Sequence, residues 1–301
     1  MQPHSESDSV RAGPSSIQLP RTLGRPPVSK VSRAALLAAS PDLGHLSVDD
    51  IRKTLLENAS QMLASTSALS PSHLPAALPK DCLPPYLTVP VLPDRHCPCP
   101  SFPTHILAVS TARASASASS PSAATDIHLI FPIHAPILAA HCSKLPVLPT
   151  RAPRARPDTS AAAAVSVHLP VLPLALPSAP AFAVLLGWMY TRRLGAVLSA
   201  LLAFPASDPF LRRLELTLTP KAVRAALASR SDRHALAAHV CAAAAGDVAG
   251  DVAELMTHTA HVKELWQDMV ALGIDDDALW DTLQLAYEIV LGALNLAVLP
   301  K

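Results

Sequence analysis

The chain has 301 residues, of which 50% are apolar and 16% are charged, and its formal net charge is +1. This composition is typical of a folded chain and argues against one that stays solvated and disordered. Neither GxGxxG nor GxxxxGK[ST] occurs, which argues against the common nucleotide-binding enzymes. The net charge is −5 from residue 221 onwards and +6 before it, so direct nucleic-acid binding is not expected.

Proline divides the chain into two parts. Of 31 prolines, 27 precede residue 181, and none occurs between residues 221 and 299. Because proline lacks a backbone N–H and breaks helices and central strands, the front should be rich in turns and the back should be helical. The predicted fold class is α+β, mainly α, with a few short strands in front of a C-terminal helical domain at residues 210–299.

The first third of the chain combines two predicted states. Residues 1–45 are rich in Pro, Ser and Arg without apolar periodicity, which predicts disorder. Residues 46–66 differ, because Ser47 and Asp50 form a capping-box pattern and apolar residues recur at helical spacing. They predict one amphipathic helix, which either packs on the chain's own core or binds a partner. In residues 69–103 the recurring prolines exclude a helix or a central strand, but not short edge strands.

A compact module is predicted over residues 81–206, with inserted loops at residues 111–125 and 146–162. Two strand candidates lie inside it, DIHLI at residues 126–130 and VSVHLPVL at residues 165–172. An apolar helix is predicted to follow each of them. The alternation of strand and helix indicates a small sheet covered by helices.

The second of these strands is predicted to end at Pro170, and the helix that follows it to begin after Ser178 and to stop near Gly195. Residues 181–206 are the most apolar stretch of the chain, but two adjacent arginines lie at its centre. Because each arginine is costly at a membrane midplane, this stretch predicts two core helices and no membrane span.

The C-terminal helices are predicted from apolar spacing. Residues 248–269 carry a seam of 3.5-residue period, which Gly273 should terminate. Residues 279–293 repeat the spacing, and the aspartates at 275–277 suit the start of a helix. The two helices are predicted to form an antiparallel hairpin that packs on two earlier helices, the first of which begins after Thr219.

A weak metal-ligand pattern lies in the Pro-rich part. Its members are Cys82, His96, Cys97 and Cys99, with His105 downstream. Tetrahedral zinc sites usually draw on ligand pairs two to four residues apart, whereas one proline separates the last two cysteines. An irregular loop with reduced thiols is the favoured interpretation, so neither a metal nor a cofactor is predicted. A zinc-dependent protein that uses residues 96–105 is the less favoured alternative.

No Ser-His-Asp, HExxH or Walker constellation is present, so the chain is not predicted to be an enzyme. Large aromatic side chains and their neighbours are instead candidates for contact with a partner. These interaction candidates are Phe131, His134, Trp188, Tyr190 and Trp266. Core packing is the favoured role for Trp188, Tyr190 and Trp266.

Two segments resemble the signatures of BTB/POZ domains. FPIHAPILAAHCSKL at residues 131–145 is similar to a strand-turn-helix in which a His precedes a helix that begins "vLaa". VHLPVLPLALPSAPAFAVLLGWMYTRRL at residues 167–194 is similar to the second signature, with Phe182, Leu186 and Tyr190 at its aromatic and apolar positions. The resemblance implies that the predicted module is BTB/POZ-like.

The wider chain resembles the clampless-type, or clamp-formation, proteins of basidiomycete fungi. The resemblance rests on LLGWMYTRRLGAVLSALL at residues 185–202 and on VKELWQDMVALGIDDDALWDTLQLAYEIVLGALNL at residues 262–296. It implies an intracellular regulator of sexual development, which acts downstream of mating-type control in clamp-cell formation on the dikaryon. It also implies protein partners such as regulatory or transcription factors. The odd number of scattered cysteines favours a reducing, intracellular setting in the nucleus and/or cytoplasm, and no membrane contact is expected. The alternative is a helical scaffold that oligomerises through residues 248–269.

Overall fold

The computed structural model describes residues 20, 22–27, 30–92, 101–111, 127–148, 156–157, 165–202, 213, 216–244 and 248–298. The described chain is α+β and mainly helical, as predicted. Nearly all of the predicted loop at 111–125 lies outside the described residues, as do His96, Cys97 and Cys99.

The elements are numbered here in chain order. The helices are α1 (Arg33–Ala39), α2 (Val48–Glu57), α3 (Ala59–Ser67), α4 (Ala135–His141), α5 (Ala179–Thr191), α6 (Leu194–Leu202), α7 (Pro220–Ala228), α8 (Arg230–Ala243), α9 (Val248–Leu272) and α10 (Asp277–Val298). The strands are β1 (Ala77–Pro79), β2 (Tyr86–Pro90), β3 (His105–Thr111), β4 (Ile127–Ile133), β5 (Arg156–Pro157) and β6 (Val165–Leu176).

These strands form one sheet in the order β1-β4-β3-β6-β2, with β5 paired to β6. β3 and β4 are an antiparallel hairpin, and β6 runs parallel to β3. The short strands β1 and β2 come from the Pro-rich segment and lie at the two ends of this order. Strands that contain prolines are tolerated at sheet edges, so the expectation of short edge strands is confirmed.

β6 is longer than predicted, because Pro170 does not end it. Residues 166–170 pair with β2, whereas residues 171–176 pair with β3. Pro170 therefore lies where β6 changes its pairing partner from β2 to β3. The missing N–H of this proline falls between the two ladders, so it interrupts neither of them. The predicted loop at 146–162 also contains a short paired segment, β5.

The two faces of the sheet contribute side chains to two different apolar clusters. Leu107 and Val109 on β3 belong to the main core, which includes helices from both halves of the chain. Ile106 and Ala108 belong to a smaller cluster with Val89. The division follows from the strand period of two, which sends successive side chains to opposite faces.

The prediction of disorder over residues 1–45 is wrong for residues 30–45. Ser32 caps α1 by accepting a hydrogen bond from the backbone N–H of Ala35 at 3.3 Å. The helix buries Leu36 and Ala39 and contacts α4. Its seven residues are too few to show a helical period in the sequence, and its stability comes from tertiary packing.

The predicted helix at residues 46–66 is two consecutive helices, α2 and α3. The cap at Ser47 is confirmed, since its Oγ accepts a hydrogen bond from the backbone N–H of Asp50 at 3.2 Å. The apolar residues Ile51 and Leu55 are buried in the main core. Of the two roles considered for this segment, the structure supports packing on the chain's own core.

The C-terminal hairpin of α9 and α10 forms as predicted, and α10 also contacts α6, α7 and α8. Gly273 has φ +67° and ends α9. Seam residues Leu255, Val262 and Met269 are fully buried in the chain's own core. These three seam residues are therefore not exposed for contact with a second copy. Within the described residues, no helix combines the length and apolarity that a membrane crossing requires.

Candidate functional site

Helix α5 lies where the two halves of the chain meet. It contacts α2, α3, α4 and β3 in the N-terminal half, and α6 and α9 in the C-terminal half. Its aromatic residues Phe182, Trp188 and Tyr190 are buried. Both ends of α5 also bond to polar side chains of the α9–α10 hairpin, so this helix fixes how the two halves sit against each other.

The N-terminal end of α5 is held by two acidic side chains of α9. The backbone N–H of Ser178, the N-cap residue, donates to Asp268 Oδ1 at 3.0 Å. The Ser178 hydroxyl donates to Glu264 Oε2 at 2.9 Å. Acidic groups are favourable at this end because the helix dipole places partial positive charge there.

Asp268 is fully buried, and its Oδ2 atom has no hydrogen-bond partner among the described residues. Burial raises the pKa of Asp268 to about 7; the backbone N–H of Ser178 opposes this shift and the nearby Glu264 adds to it. The carboxyl group therefore titrates near neutral pH, and its unpartnered oxygen is the place for the proton.

The C-terminal end of α5 is held by a cation. The helix ends at Thr191, not near Gly195 as predicted, and Arg192 takes a left-handed backbone with φ 57°. Its guanidinium bonds to the Asp276 carboxylate and lies over the Trp188 ring, 4.1 Å from the centroid. These contacts offset a backbone conformation that costs a non-glycine residue about 1 kcal/mol.

His141 completes this end of the junction. Arg192 Nη1 donates to His141 Nδ1 at 3.4 Å, and the imidazole lies edge-on to Trp188 with centroids 5.4 Å apart. Burial lowers the pKa of His141 to about 3, and the charges of Arg192 and Arg52 add to the effect. The imidazole is therefore neutral and can accept the hydrogen bond from Arg192.

Backbone pairing also joins the two halves. The N–H groups of Ser143 and Lys144, just after α4, donate to the carbonyls of Gly273 and Leu272 at 3.2 and 3.1 Å. A Cβ atom on Gly273 would lie 2.8 Å from Lys144 Cγ, so glycine is needed both for its positive φ and for this close approach.

Most of the predicted interaction candidates are core residues. The Tyr190 hydroxyl lies 2.7 Å from His134 Nδ1 and accepts from the His134 backbone N–H at 3.1 Å. His134 Nε2 donates to the Ser101 carbonyl at 2.8 Å, so Nδ1 accepts from the tyrosine. Burial lowers the pKa of His134 and raises that of Tyr190, which keeps both neutral.

The burial of Trp188 and Tyr190 agrees with the core role that the sequence favours for them, whereas the burial of His134 leaves it little surface for a partner. His134, Trp188 and Tyr190 are buried inside this chain, where large side chains fill the space between sheet and helices. Phe131 is half-buried and meets Phe182 edge-on at 5.3 Å. Of the five candidates, Trp266 alone bonds to the N-terminal segment described next.

An N-terminal segment, described at residues 20 and 22–27, lies across the C-terminal hairpin. Three of its backbone groups bond to side chains of α9 and α10. Tyr287 donates to the Pro20 carbonyl at 2.7 Å, Trp266 Nε1 donates to the Gly24 carbonyl at 2.9 Å, and the Leu23 N–H donates to Gln284 Oε1 at 3.4 Å. We call the surface formed by Trp266, Asp277, Trp280, Gln284 and Tyr287 the α9–α10 groove.

Arg25 adds charged contacts at one end of this groove. Its guanidinium lies 2.6 Å from Asp277 Oδ1 and 3.8 Å from Asp275 Oδ1, and 5.9 Å from the centroid of the Trp280 ring. Sequence reasoning missed the groove, except for Trp266, because residues 1–45 were expected to be disordered. The basic charge of Arg25 opposite the aspartates at 275–277 was a signal that could have found it.

The predicted metal ligands are not brought together in the described residues. Cys82 is an exposed free thiol, and His105 is buried in β3. Among the residues that the structure describes, no group of three or more His, Cys, Asp or Glu side chains could hold a metal ion. The other three candidates fall outside that part of the chain.

These features define an α+β protein in which a Pro-rich module and a Pro-free helical domain share one buried helix. Residues 26–177 match the family model of the Clampless protein 1 N-terminal domain, and residues 196–300 match that of the Clampless protein 1 C-terminal domain. The chain therefore belongs to the Clampless protein 1 family, which suggests a role in clamp formation. Helix α5 lies between the two matched segments. No curated protein and no solved structure matches the chain.

Proposed function

We propose that this protein is a non-enzymatic interaction adaptor that regulates fungal sexual development at clamp-cell formation on the dikaryon. The observation that carries the proposal is the match of both halves to the Clampless protein 1 domains. Its partners are regulatory proteins or transcription factors, which it meets in the nucleus and/or cytoplasm. The charge of −5 from residue 221 onwards disfavours direct contact with nucleic acid.

The geometry supports an adaptor in two ways. Helix α5 bonds at both ends to the α9–α10 hairpin, which keeps the two halves in one arrangement and lets them present a joint surface. The α9–α10 groove already holds a stretch of chain that is neither helix nor strand, through its backbone carbonyls. Short peptide segments are a common form in which one protein recognises another.

The adaptor acts through a BTB/POZ-like module within residues 81–206 in this proposal. The order of elements supports it, since the hairpin β3–β4 leads through His134 into α4, and β6, parallel to β3, leads into α5. Phe182, Leu186 and Tyr190, the residues that carry the second signature, are buried on α5. Signature positions that form the core of a fold are expected to be buried in this way.

Gene replacement in a clamp-forming basidiomycete tests the proposed role. A strain without the gene should form a dikaryon with few or no clamp connections, and the wild-type gene should restore them. Val262→Pro should not restore them, because a proline inside α9 breaks the buried helix. Glu57→Gln, at an exposed residue of α2, should restore them as a matched control. Normal clamp connections in the absence of the gene would refute the proposal.

Sedimentation of the full chain separates the adaptor from the scaffold alternative. We expect a monomer mass, because Leu255, Val262 and Met269 of the apolar seam at residues 248–269 are buried in the chain's own core. Affinity capture from mating cells should recover a partner with the wild type but not with Val262→Pro. A stable homo-oligomer that captures no other protein would favour the scaffold instead.

A further inference from the structure

We infer that the α9–α10 groove is a recognition site for a peptide of pattern Leu-x-Arg that binds without forming a helix or a strand. In the free protein the chain's own N-terminal segment occupies the groove, where Leu23 and Arg25 have this spacing. The ligand that replaces this segment in the groove is a segment of a partner protein with the same pattern. The inference rests on the proposed function in one respect, since it names the class of partner that the adaptor binds.

The contacts to the peptide backbone explain why a segment without helix or strand structure fits. Tyr287 and Trp266 donate to two peptide carbonyls, and Gln284 accepts from one peptide N–H. These bonds depend on the path of the backbone and not on its side chains. Any segment whose backbone follows the same path can therefore make them.

Two side chains of the segment supply selectivity. Leu23 packs against the main core from outside, so a leucine at this position buries apolar surface. Arg25 lies between the two carboxylates of Asp275 and Asp277 and faces the Trp280 ring. A guanidinium satisfies both kinds of contact at once, which an ammonium group does less well. The net charge of −5 from residue 221 onwards also attracts a basic peptide.

The N-terminal segment is bound weakly enough for a partner peptide to displace it from the groove. The Arg25 side chain is 39% exposed and that of Asp277 is 83% exposed, so their ion pair is worth little in water. A cavity of about 440 Å³ remains beside Leu23 and Arg25, lined also by Leu227, Leu283 and Glu288. A tethered segment has an effective concentration of about 1 mM, so a partner peptide that fills this cavity can compete with it.

Binding of a labelled peptide to the full chain tests the inference. The probe is QLPRTLGRPP, residues 18–27, followed by fluorescence anisotropy. A double variant, Leu23→Ala with Arg25→Ala, should empty the groove and bind the peptide at least tenfold more tightly than the wild type. Glu57→Lys, a charge change at an exposed residue of α2, should bind as the wild type does. Circular dichroism should show the same melting temperature for all three proteins within a few degrees.

Changes in the probe test the selectivity. Replacing the peptide arginine by glutamate should weaken binding to the emptied variant at least tenfold, and Asp277→Arg in that variant should restore it. No binding of the original peptide to the emptied variant would overturn the inference, and so would equal binding of a scrambled peptide. A wild-type dimer that disappears in the emptied variant would assign the segment to a second copy and overturn the partner assignment. None of these outcomes depends on clamp counts, which test the proposed function separately.

Discussion

The two ends of helix α5 are held by the same helical hairpin in chemically opposite ways. At the N-terminal end, Asp268 and Glu264 receive hydrogen bonds from the neutral Ser178. At the C-terminal end, the cation of Arg192 meets the carboxylate of Asp276. Each end thus carries the kind of group that the helix dipole favours, an acid at the start and a cation at the finish.

The difference between the ends lies in how each charge is compensated. Asp268 has no cation beside it and is completely buried, so its ionised form is costly and its pKa rises. Arg192 and Asp276 keep 28% and 15% of their side chains exposed and neutralise each other. We therefore expect the Arg192–Asp276 ion pair to stabilise the C-terminal end of α5. Ionisation of Asp268 should weaken the N-terminal end.

Removal of the charged group at the C-terminal end of α5 should have the largest destabilising effect. We expect Arg192→Ala to lower the free energy of unfolding by about 2 kcal/mol, because Asp276 loses its partner and Trp188 loses the guanidinium. Urea denaturation at pH 7 measures this. A change below 0.5 kcal/mol, the usual range at surface positions, would mean that the pair does not hold the junction.

The variant Arg192→Gly distinguishes the energy of the Arg192 side-chain contacts from the cost of its left-handed backbone. It loses the same contacts as Arg192→Ala, but glycine takes a φ of 57° without steric cost. The glycine variant should therefore be more stable than the alanine variant by about 1 kcal/mol. If the alanine and glycine variants are equally stable, residue 192 does not have the left-handed backbone conformation.

The buried Asp268 at the N-terminal end of α5 should make the free energy of unfolding depend on pH. Unfolded Asp268 ionises near its ordinary pKa of about 3.9, whereas the folded group ionises near about 7. As pH rises between these values the unfolded state gives up its proton first, so the folded state is progressively disfavoured up to about pH 7. We expect the advantage of Asp268→Asn over the wild type to grow by about 2.5 kcal/mol between pH 5 and pH 8. Urea titrations at four pH values measure it, and a difference independent of pH would contradict the pKa shift.

Loss of the capping hydroxyl should have the smallest effect. Ser178→Ala removes the bond to Glu264 and the bond from the Ala181 N–H, at a cost of about 1 kcal/mol. Its backbone N–H still donates to Asp268, so the pH dependence should persist. Ser178→Thr keeps a hydroxyl and is the matched control. If the alanine variant also loses the pH dependence, the side chain and not the backbone sets the environment of Asp268.

Elements that depend on local spacing were predictable from the sequence. The caps at Ser47 and Ser178 and the stop at Gly273 follow from residue type and position, and the structure confirms them. The end of α5 was not predictable, because a left-handed arginine is stabilised by Asp276, which is 84 residues away in the chain. Helix α1 was missed for a similar reason, since α4 supplies the contact that stabilises it.

The candidate site shows the same division. Composition and spacing singled out Trp266, but not the N-terminal segment that it binds, because residues 1–45 lack an apolar period. His134 and Tyr190 were recognised as unusual residues, yet only the structure shows that they satisfy each other in the core. A sequence pattern reports the kind of side chain at a position and not which distant group it meets.

By itself the sequence determined the division into a Pro-rich front and a helical back, since proline removes the backbone donor that helices need. It also determined the family through the two halves that the Clampless protein 1 models match. Tertiary structure alone decided how the halves join through α5, and which acid is buried. It also decided that the N-terminal segment lies on the C-terminal helices. These features depend on burial and on long-range contacts, which alter pKa values and backbone conformations in ways that local spacing does not encode.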